Sequence, residues 1–416
     1  MSDIPAIDGG EKVRTGPWPE RGIYGKEEKE ALNVLLDEAI ASGKAPGYGG
    51  PEEDAYCKEF AEMMGGGYAN GVNSGTNAVY VALRSLDLPP FSEVAVGCIT
   101  DAGGIMPIPL LNCIPVPVDT APGSFSPGPE QVEAAMTPRT SAILIAHIFG
   151  EPADIEGIIE VADKHGVPVV EDCAQAHYTK LNGKMLGTFG KVSAFSTMFG
   201  KLHCTGGQGG LVFTKDEEVY KMIKRSSDRG KPFGLPAGTS NQFASLNMNM
   251  DEISACIGRI QLKKLPGFVK HRQKIYAAVK EGISDLKAVF IPDPIPGAES
   301  SYWRIRVGFR PEKANCDKKT FYNALVAEGL TNLEPSCIAS QHLADWFVNK
   351  KAFGNSQFPW NSSDYKGDHN KTYSCPNAIK STETYFKLFI NEAWTDEDIC
   401  DAVKIFRKVD KCLSLA

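Results

Sequence analysis

The chain has 416 residues, of which 42% are hydrophobic and 23% charged, so composition excludes a disordered polymer, a collagen and a simple coiled coil. Its 44 basic and 51 acidic side chains leave a net charge of −7, which provides no overall attraction to nucleic acid or anionic lipid. The sequence contains no apolar run long enough to span a membrane. Residues 1–16 lack the pattern of a signal peptide, so we expect a cytoplasmic protein.

The first part of the chain predicts an arm and two helices. Residues 1–25 are rich in glycine, proline and charge, which indicates an extended arm, and a charged helix follows over 27–42. A second helix begins with the acidic residues 52–54 and carries apolar side chains at helical spacing. Three glycines, residues 65–67, are expected to end it.

The stretch from about 70 to 215 alternates between short apolar runs and helical patterns. The apolar runs at 142–146, 167–170 and 210–214 predict buried strands, and helices are predicted at 76–86 and 153–165. This alternation predicts an α/β fold with a mostly parallel sheet and helices on both faces, which is a three-layer αβα arrangement.

The pattern of predicted helices and strands changes after about residue 265. A basic segment at 263–274 leads into a helix, and a strand at 302–307 is followed by a helix from about 317. A last helix follows Thr395. These elements predict a smaller α+β unit. We therefore divide the chain into an arm (1–25), a large domain (26–265) and a small C-terminal domain (266–416).

Two motifs contain residue types suited to catalysis. The buried strand at 167–170 runs into Glu171 and Asp172, at the strand end where ligands bind in open α/β sheets. Acids in this place also serve as caps or salt-bridge partners. Lys201 lies between a strand-like run and the glycine-dense turn 206–210, where desolvation would lower the pKa of the amine, as Schiff-base chemistry requires.

A third motif suits a phosphate. Ser74, Gly75 and Thr76 open a helix, and the first backbone amides of a helix form an anion site. A lysine, a carboxylate and phosphate donors together are what pyridoxal 5′-phosphate (PLP) requires for its aldehyde, its pyridinium nitrogen and its phosphate. The 7 histidines and 11 cysteines show no CxxC or HExxH spacing, so we expect reduced thiols and no dedicated metal site.

These motifs resemble the DegT/DnrJ/EryC1/StrS family, the sugar aminotransferases of PLP fold type I. The Ser-Gly-Thr phosphate turn of the family is similar to residues 74–76, and its Glu-Asp-x-Ala-Gln signature is similar to residues 171–175. Its Phe-Ser motif, which four intervening residues separate from a lysine, is similar to residues 195–201. The resemblance implies a large PLP-binding domain and a smaller C-terminal domain.

The resemblance also implies a role for each matching residue. Lys201 would form the Schiff base with PLP, Asp172 would pair with the pyridinium nitrogen, and Gln175 would lie near the ring hydroxyl. Ser196 would join the turn at 74–76 in binding the phosphate. Asn247 would reach the phosphate of the neighbouring subunit, so the active sites would be shared in a homodimer.

The sequence departs from the family at two positions. Asn249 replaces an arginine, so one positive charge is missing from that motif. Asp101 falls where the family has a tryptophan or phenylalanine stacked on the cofactor ring, and a carboxylate is disfavoured against a π face. If Asp101 faces the cofactor, we expect it to contact the substrate amine or take part in proton transfer.

The activity implied is a PLP-dependent transaminase with ping-pong kinetics. It would move an amino group from glutamate or glutamine to a keto-sugar, a nucleotide-linked keto-sugar or a keto-cyclitol. The arm segment 9–19 resembles the start of cyclitol aminotransferases. Two alternatives stay open: a PLP-dependent keto-sugar dehydratase, in which histidine replaces the lysine, and a non-catalytic PLP-binding regulator. His203 is close, but the motif spacing assigns Lys201 to the Schiff base.

Overall fold

We describe the fold from a computed structural model, which covers residues 4–336 and 340–415. The helices are Lys26–Ser42 (α1), Pro51–Met63 (α2), Gly75–Arg84 (α3), Pro107–Leu110 (α4), Pro129–Ala135 (α5), Ile155–His165 (α6), Glu217–Ser227 (α7), Glu252–Gly282 (α8), Lys318–Ala327 (α9), Asp345–Val348 (α10), Pro376–Thr384 (α11) and Asp396–Leu413 (α12). Across these described ranges, no helix is both long and apolar enough to cross a bilayer.

The strands are shorter and fall into three sheets. They are Tyr68–Val72 (β1), Glu93–Gly97 (β2), Ile114–Val118 (β3), Thr140–Ala146 (β4), Val169–Asp172 (β5), Lys180–Leu181 (β6), Lys184–Met185 (β7), Val192–Ser196 (β8), Gly210–Thr214 (β9), Val289–Phe290 (β10), Ala298–Glu299 (β11), Ile305–Phe309 (β12), Leu333–Glu334 (β13) and Tyr385–Leu388 (β14).

The central sheet has seven strands in the order β1-β9-β8-β5-β4-β2-β3. The pairs from β8 to β3 are all parallel, whereas β9 runs antiparallel to both β1 and β8. The mostly parallel sheet expected from the sequence is therefore confirmed. Since β5 and β8 run the same way with Asp172 opposite Ala194, Asp172 and Ser196 lie at the same edge of the sheet, beyond the carboxyl ends of its strands.

Helices cover both faces of this sheet. Ile143 and Ile145 of β4 pack into a core with α2, α6 and the first half of α8, whereas Ala142 and Leu144 pack into a second core with α3, α4 and α7. Successive side chains of a strand point to opposite faces, so a strand that is apolar throughout must be covered on both. The three-layer αβα arrangement is thus present as expected.

A second sheet, in the order β10-β12-β14-β13, is antiparallel throughout. It packs with α9, α12 and the second half of α8 around a separate core. Helix α8 has 31 residues, and it contains the basic segment 263–274 rather than following it. Leu265 belongs to the larger core and Ile275 to the smaller one, so the boundary predicted at 265 falls inside a helix.

The N-terminal arm packs on the C-terminal part of the chain. Arg14 forms an ion pair with Asp398 at 2.8 Å, and the ring of Trp18 stacks on that of Trp394 with centroids 4.6 Å apart. The arm is therefore held by specific contacts far along the chain, which composition alone did not predict.

The C-terminal part also reaches back to the central sheet. Phe347 joins the core around α3, and Trp360 and Tyr365 pack against Ile114 of β3. These aromatic side chains supply the burial that anchors residues 345–373, a stretch with little regular structure. The segment thus covers one border of the large sheet although it was predicted to belong to the small domain.

Candidate active site

Lys201 lies in the turn after β8 and is buried, with 8% of its surface exposed. Its backbone amide donates to the carbonyl of Met198 (2.9 Å), and its Nζ lies 4.1 Å from the ring centroid of Trp303. Burial lowers the pKa of Lys201 to about 8, while the charges of Asp172 and Asp101 act in the opposite direction. The amine is therefore far more often neutral than that of a surface lysine, as a nucleophile must be.

The turn that carries Lys201 is held from two distant parts of the chain. Trp303 donates its ring N–H to the carbonyl of the residue before Lys201 (2.9 Å), and Arg21 of the arm donates to the Lys201 carbonyl (2.7 Å). Arg21 and Arg272 both bind the buried Glu392, at 2.8 and 2.9 Å. Sequence reasoning missed these residues, because nothing local connects an arginine of the arm to a catalytic turn.

The two carboxylates at the end of β5 differ in their surroundings. Glu171 is fully buried and binds His147 at 3.2 Å; it also accepts hydrogen bonds of 2.6–2.8 Å from the backbone amides of Gly187, Phe189 and Gly190. Asp172 accepts one from the amide of Ala174 (2.9 Å). Burial raises the pKa of Asp172, and the hydrogen bond from Ala174 and the charge of Lys201 lower it. Glu171 thus stabilises the surrounding backbone through hydrogen bonds, and Asp172 is the carboxylate that interacts with Lys201.

The phosphate turn predicted at 74–76 lies against the end of β8. Ser74 caps α3 by accepting a hydrogen bond from the amide of Asn77 (3.1 Å). A Cβ on Gly75 would lie 2.4 Å from the Cβ of Ser196, so only glycine lets the helix begin this close to the strand. Thr76 contacts the turn at 101–104, since a Cβ on Gly103 would lie 2.4 Å from its Oγ1. Ser74, Gly75, Thr76 and Ser196 are therefore neighbours.

These groups fit PLP. A desolvated lysine interacts with a buried carboxylate, and the open first turn of the ten-residue helix α3 begins at the same edge of the sheet. The unpaired amides of a first helical turn suit a phosphate. Gln175 is buried near this edge, and its Oε1 accepts a hydrogen bond from the backbone amide of Phe149 (2.8 Å), which fixes the direction of its side chain.

Asp101 lies at the exposed end of the same site. Its Oδ1 accepts a hydrogen bond from the amide of Gly103 (2.9 Å) and starts a short 3-10 turn over residues 102–104. Its charge raises the pKa of both Lys201 and Asp172. A carboxylate thus acts electrostatically on the candidate nucleophile at the position where the family has an aromatic ring.

Asp101→Asn should make Lys201 less basic. Because the carboxylate favours the charged amine, its removal lowers the pKa of Lys201 below about 8 by up to about 0.7 pH unit, the equivalent of about 1 kcal/mol for an exposed charge pair. The rate at which the apoprotein captures PLP, trapped with borohydride at each pH, should reach half its maximum at lower pH than in the wild type. An unchanged profile, or unchanged turnover and substrate affinity, would remove any role of Asp101 in this site.

Asn247 and Asn249 lie beside the phosphate turn of their own chain. Asn247 is exposed, and its Oδ1 accepts a hydrogen bond from the Asn249 amide group (2.8 Å). The backbone of Asn247 pairs with that of Asp228, which binds Arg229 and Lys231 at 2.9 and 2.6 Å. Two positive charges therefore lie close to the position where the family has its arginine.

His203 is not the candidate nucleophile, because other groups of the protein already contact its ring. Its Nε2 lies 2.9 Å from the hydroxyl of Tyr56 and 3.2 Å from the carbonyl of Gly258. Burial lowers its pKa to about 4, so the ring is neutral. These contacts give the His203 ring a role in packing and hydrogen bonding.

Arg304 is a further candidate that sequence reasoning missed. Its guanidinium lies 4.1 Å from the ring centroid of Trp303 and 4.0 Å from that of Phe389, and it lowers the pKa of Lys201. Burial lowers its own pKa to about 9. Within residues 4–336 and 340–415, no carboxylate forms an ion pair with it. A partly buried cation without a paired anion next to the nucleophile is a candidate for binding a substrate anion.

Known proteins resemble this chain in sequence and in fold. Residues 26–405 match the DegT/DnrJ/EryC1/StrS aminotransferase family. The dTDP-3-amino-3,4,6-trideoxy-alpha-D-glucose transaminase of Streptomyces venezuelae is 33% identical over 66% of this chain and 72% of its own length. The L-glutamine:2-deoxy-scyllo-inosose aminotransferase of Micromonospora echinospora is 28% identical over 68% of this chain and 69% of its own.

The fold is shared with a solved structure as well. The X-ray structure of the aminotransferase from Psychrobacter cryohalolentis superimposes with a TM-score of 0.82 over 94% of this chain and 98% of its own, at 24% identity. That degree of identity supports the fold alone. The match over residues 26–405 decides the family, and it implies PLP as the cofactor. The chain belongs to the DegT/DnrJ/EryC1/StrS aminotransferases.

Proposed function

We propose that this aminotransferase uses PLP to move an amino group from glutamate or glutamine to a keto-sugar, nucleotide-linked or free, or to a keto-cyclitol. The observation that supports it best is the buried amine of Lys201, whose pKa of about 8 is set by burial and opposed by Asp172. A lysine in this state can attack an aldehyde near neutral pH and can later accept a proton.

PLP, when bound, supplies an electron sink that stabilises negative charge at the carbon next to the amino group. Lys201 holds the cofactor and then moves the proton at that carbon. Asp172 favours the protonated ring nitrogen because its carboxylate stabilises a positive partner. Ser74, Thr76 and Ser196 bind the phosphate, and Trp303 keeps water away from the Lys201 amine.

The acceptor class rests on the relatives. One is named for a dTDP-linked amino sugar and another for 2-deoxy-scyllo-inosose, so the proposal includes both a nucleotide-linked keto-sugar and a keto-cyclitol. A dehydratase is disfavoured because Lys201 is present and because the Tyr56 hydroxyl and a backbone carbonyl already contact the ring of His203. The presence of Lys201, Asp172 and Ser196 together disfavours a non-catalytic PLP-binding regulator, which would show no half-reaction with an amino donor.

We propose a homodimer in which Asn247 contributes to the neighbouring phosphate site. The exposure of this side chain supports the idea, since a residue that serves a partner must be free to reach it. Its position beside the phosphate turn of its own chain would bring two cofactor sites to one interface.

Arg304 is proposed to bind the carboxylate of the amino donor. Arg304→Ala should therefore raise the KM for glutamate or glutamine by about 10- to 100-fold, the loss expected for a charged hydrogen bond. The KM for the acceptor should change little, because a sugar or cyclitol ring has no carboxylate for this cation. Steady-state kinetics with each substrate varied separately measure both values.

Arg310→Ala is the matched control, because Arg310 also lies on an aromatic ring, that of Phe290, with its guanidinium 4.3 Å from the centroid. It should leave both KM values unchanged. Equal rises for donor and acceptor in Arg304→Ala would show a general loss of structure and contradict the assignment.

A screen of amino donors against keto-sugar and keto-cyclitol acceptors tests the proposed function. We expect amino-group transfer that requires both substrates. Double-reciprocal plots of rate against the concentration of one substrate, at several concentrations of the other, should be parallel. Product formation from a keto-sugar without any amino donor would instead indicate the dehydratase.

A further inference from the structure

Two thiols and one imidazole meet in the interior outside the residues assigned to catalysis. Cys98 follows β2, His342 lies in a short 3-10 turn at Gln341–Leu343, and Cys375 immediately precedes α11. Their ligand atoms all lie within 4.8 Å of one another. The three residues are 0%, 5% and 1% exposed, so distant segments bring together three metal-ligating side chains in a buried place.

The backbone around each of these residues is fixed by hydrogen bonds. The amide of Gln341 donates to the carbonyl of Cys98 (2.8 Å), and Ile99 pairs with Ser340 as an isolated β-bridge. On the third side, Asp119 accepts hydrogen bonds of 3.0 and 2.9 Å from the first amides of α11, just after Cys375. The ligand atoms are therefore held close together before any ion binds.

A second group is equally compact and consists of His147, Glu171 and Cys173. Two of its three side chains already accept hydrogen bonds from the backbone. Glu171 accepts hydrogen bonds from three backbone amides, and His147 Nδ1 accepts one from the amide of Ala153 (3.1 Å). An ion would have to break these contacts. Around His342, by contrast, the neighbouring polar group is a hydroxyl, Ser340 Oγ, at 2.9 Å from Nδ1, which is itself able to bind a metal or to orient the ring.

We propose that Cys98, His342 and Cys375 bind one Zn²⁺ ion, with the Ser340 hydroxyl or a water molecule as the fourth ligand. Two thiolates and a neutral imidazole are a common zinc ligand set. The two thiols would each lose a proton on binding, and the charge of the ion would balance the two thiolates, so the buried site would be neutral overall. The sequence predicted no metal site because residues 98, 342 and 375 are far apart in the chain, whereas metal-binding motifs are recognised by short spacings between their ligands.

The ion would fasten residues 340–375 to the rim of the active site. Gln341 donates its side-chain amide to the carbonyl of Thr100 (3.0 Å), and Asp101 follows directly. A cross-link at Cys98 would therefore stabilise the strand end that carries Asp101, without the ion taking part in the reaction. A cavity of about 210 Å³ borders His342.

The test is the metal content of the full-length holoenzyme, purified under reducing conditions without chelator and measured by mass spectrometry. We expect about one zinc ion per chain. Cys98→Ser, His342→Gln and Cys375→Ser should each lower the affinity for Zn²⁺ by at least about 100-fold. Replacement by Co²⁺ should give the visible d–d bands of a tetrahedral site with sulfur ligands, and these bands should be absent from the three variants.

Cys113→Ser is the matched control, since Cys113 is equally buried at 1% exposure and belongs to neither of the groups described above. It should keep the ion. If the reduced wild-type protein binds no zinc at about 1 μM free Zn²⁺, or contains a Cys98–Cys375 disulfide instead, or if the variants keep the metal, the proposal is wrong. His342→Gln leaves both thiols in place, so it remains informative if a cysteine variant does not fold. Metal content is independent of transamination, so this test can fail while the proposed function stands.

Discussion

Replacing Lys201 with alanine should abolish transamination and the covalent retention of PLP. The side chain supplies both the amine that attaches the cofactor and the base that moves the proton, so turnover should fall by at least about four orders of magnitude. Borohydride treatment of the wild type should fix the cofactor to Lys201, and peptide mapping should show no such adduct in the variant. Turnover assays and the absorbance of the lysine-bound cofactor measure the two losses separately.

The control for this prediction is Lys191→Ala, which removes a half-exposed lysine just before β8 that pairs with Asp216. It should leave activity and cofactor attachment unchanged. Normal turnover in Lys201→Ala would show that another group is the nucleophile and would overturn the assignment of the site.

Asp172→Asn should retain PLP but lower kcat by about 10²- to 10⁴-fold. The amide keeps the size of the side chain and loses the charge that favours a protonated ring nitrogen, so the cofactor would be a poorer electron sink. The loss of this charge also lowers the pKa of Lys201 below about 8, because Asp172 raises it. Single-turnover rates with saturating donor, measured across pH, separate the two effects.

Glu171→Gln is the comparison that distinguishes the two neighbouring acids. Glu171 accepts three backbone hydrogen bonds, so its replacement should lower thermal stability much more than it lowers kcat of the folded enzyme. Wild-type kcat in Asp172→Asn, or a larger loss of kcat in Glu171→Gln, would contradict the roles assigned to them.

The parts of the candidate site that can be proposed from the sequence are those set by local pattern. Local sequence predicts three features: the apolar run before Asp172, the glycine at position 75 and the strand that ends at Ser196. Parallel strands bring their carboxyl ends to one edge of the sheet. The chemistry of PLP, which requires a lysine, a carboxylate and phosphate donors, groups these residues without a structure.

The parts that the sequence does not predict depend on contacts between distant segments. Arg21, Trp303 and Arg304 surround Lys201 from an arm and a C-terminal unit whose positions no periodicity encodes. Helix α8 continues through the basic segment 263–274 because apolar residues such as Leu265 and Ile275 are buried along its length. The run of basic residues alone suggests a boundary.

The most direct test of the proposed function is the half-reaction of the holoenzyme with an amino donor and no acceptor. We expect that glutamate or glutamine converts the bound cofactor to pyridoxamine phosphate and releases one equivalent of the corresponding 2-oxo acid for each active site. Intact bound PLP with no 2-oxo acid released from either donor would contradict it.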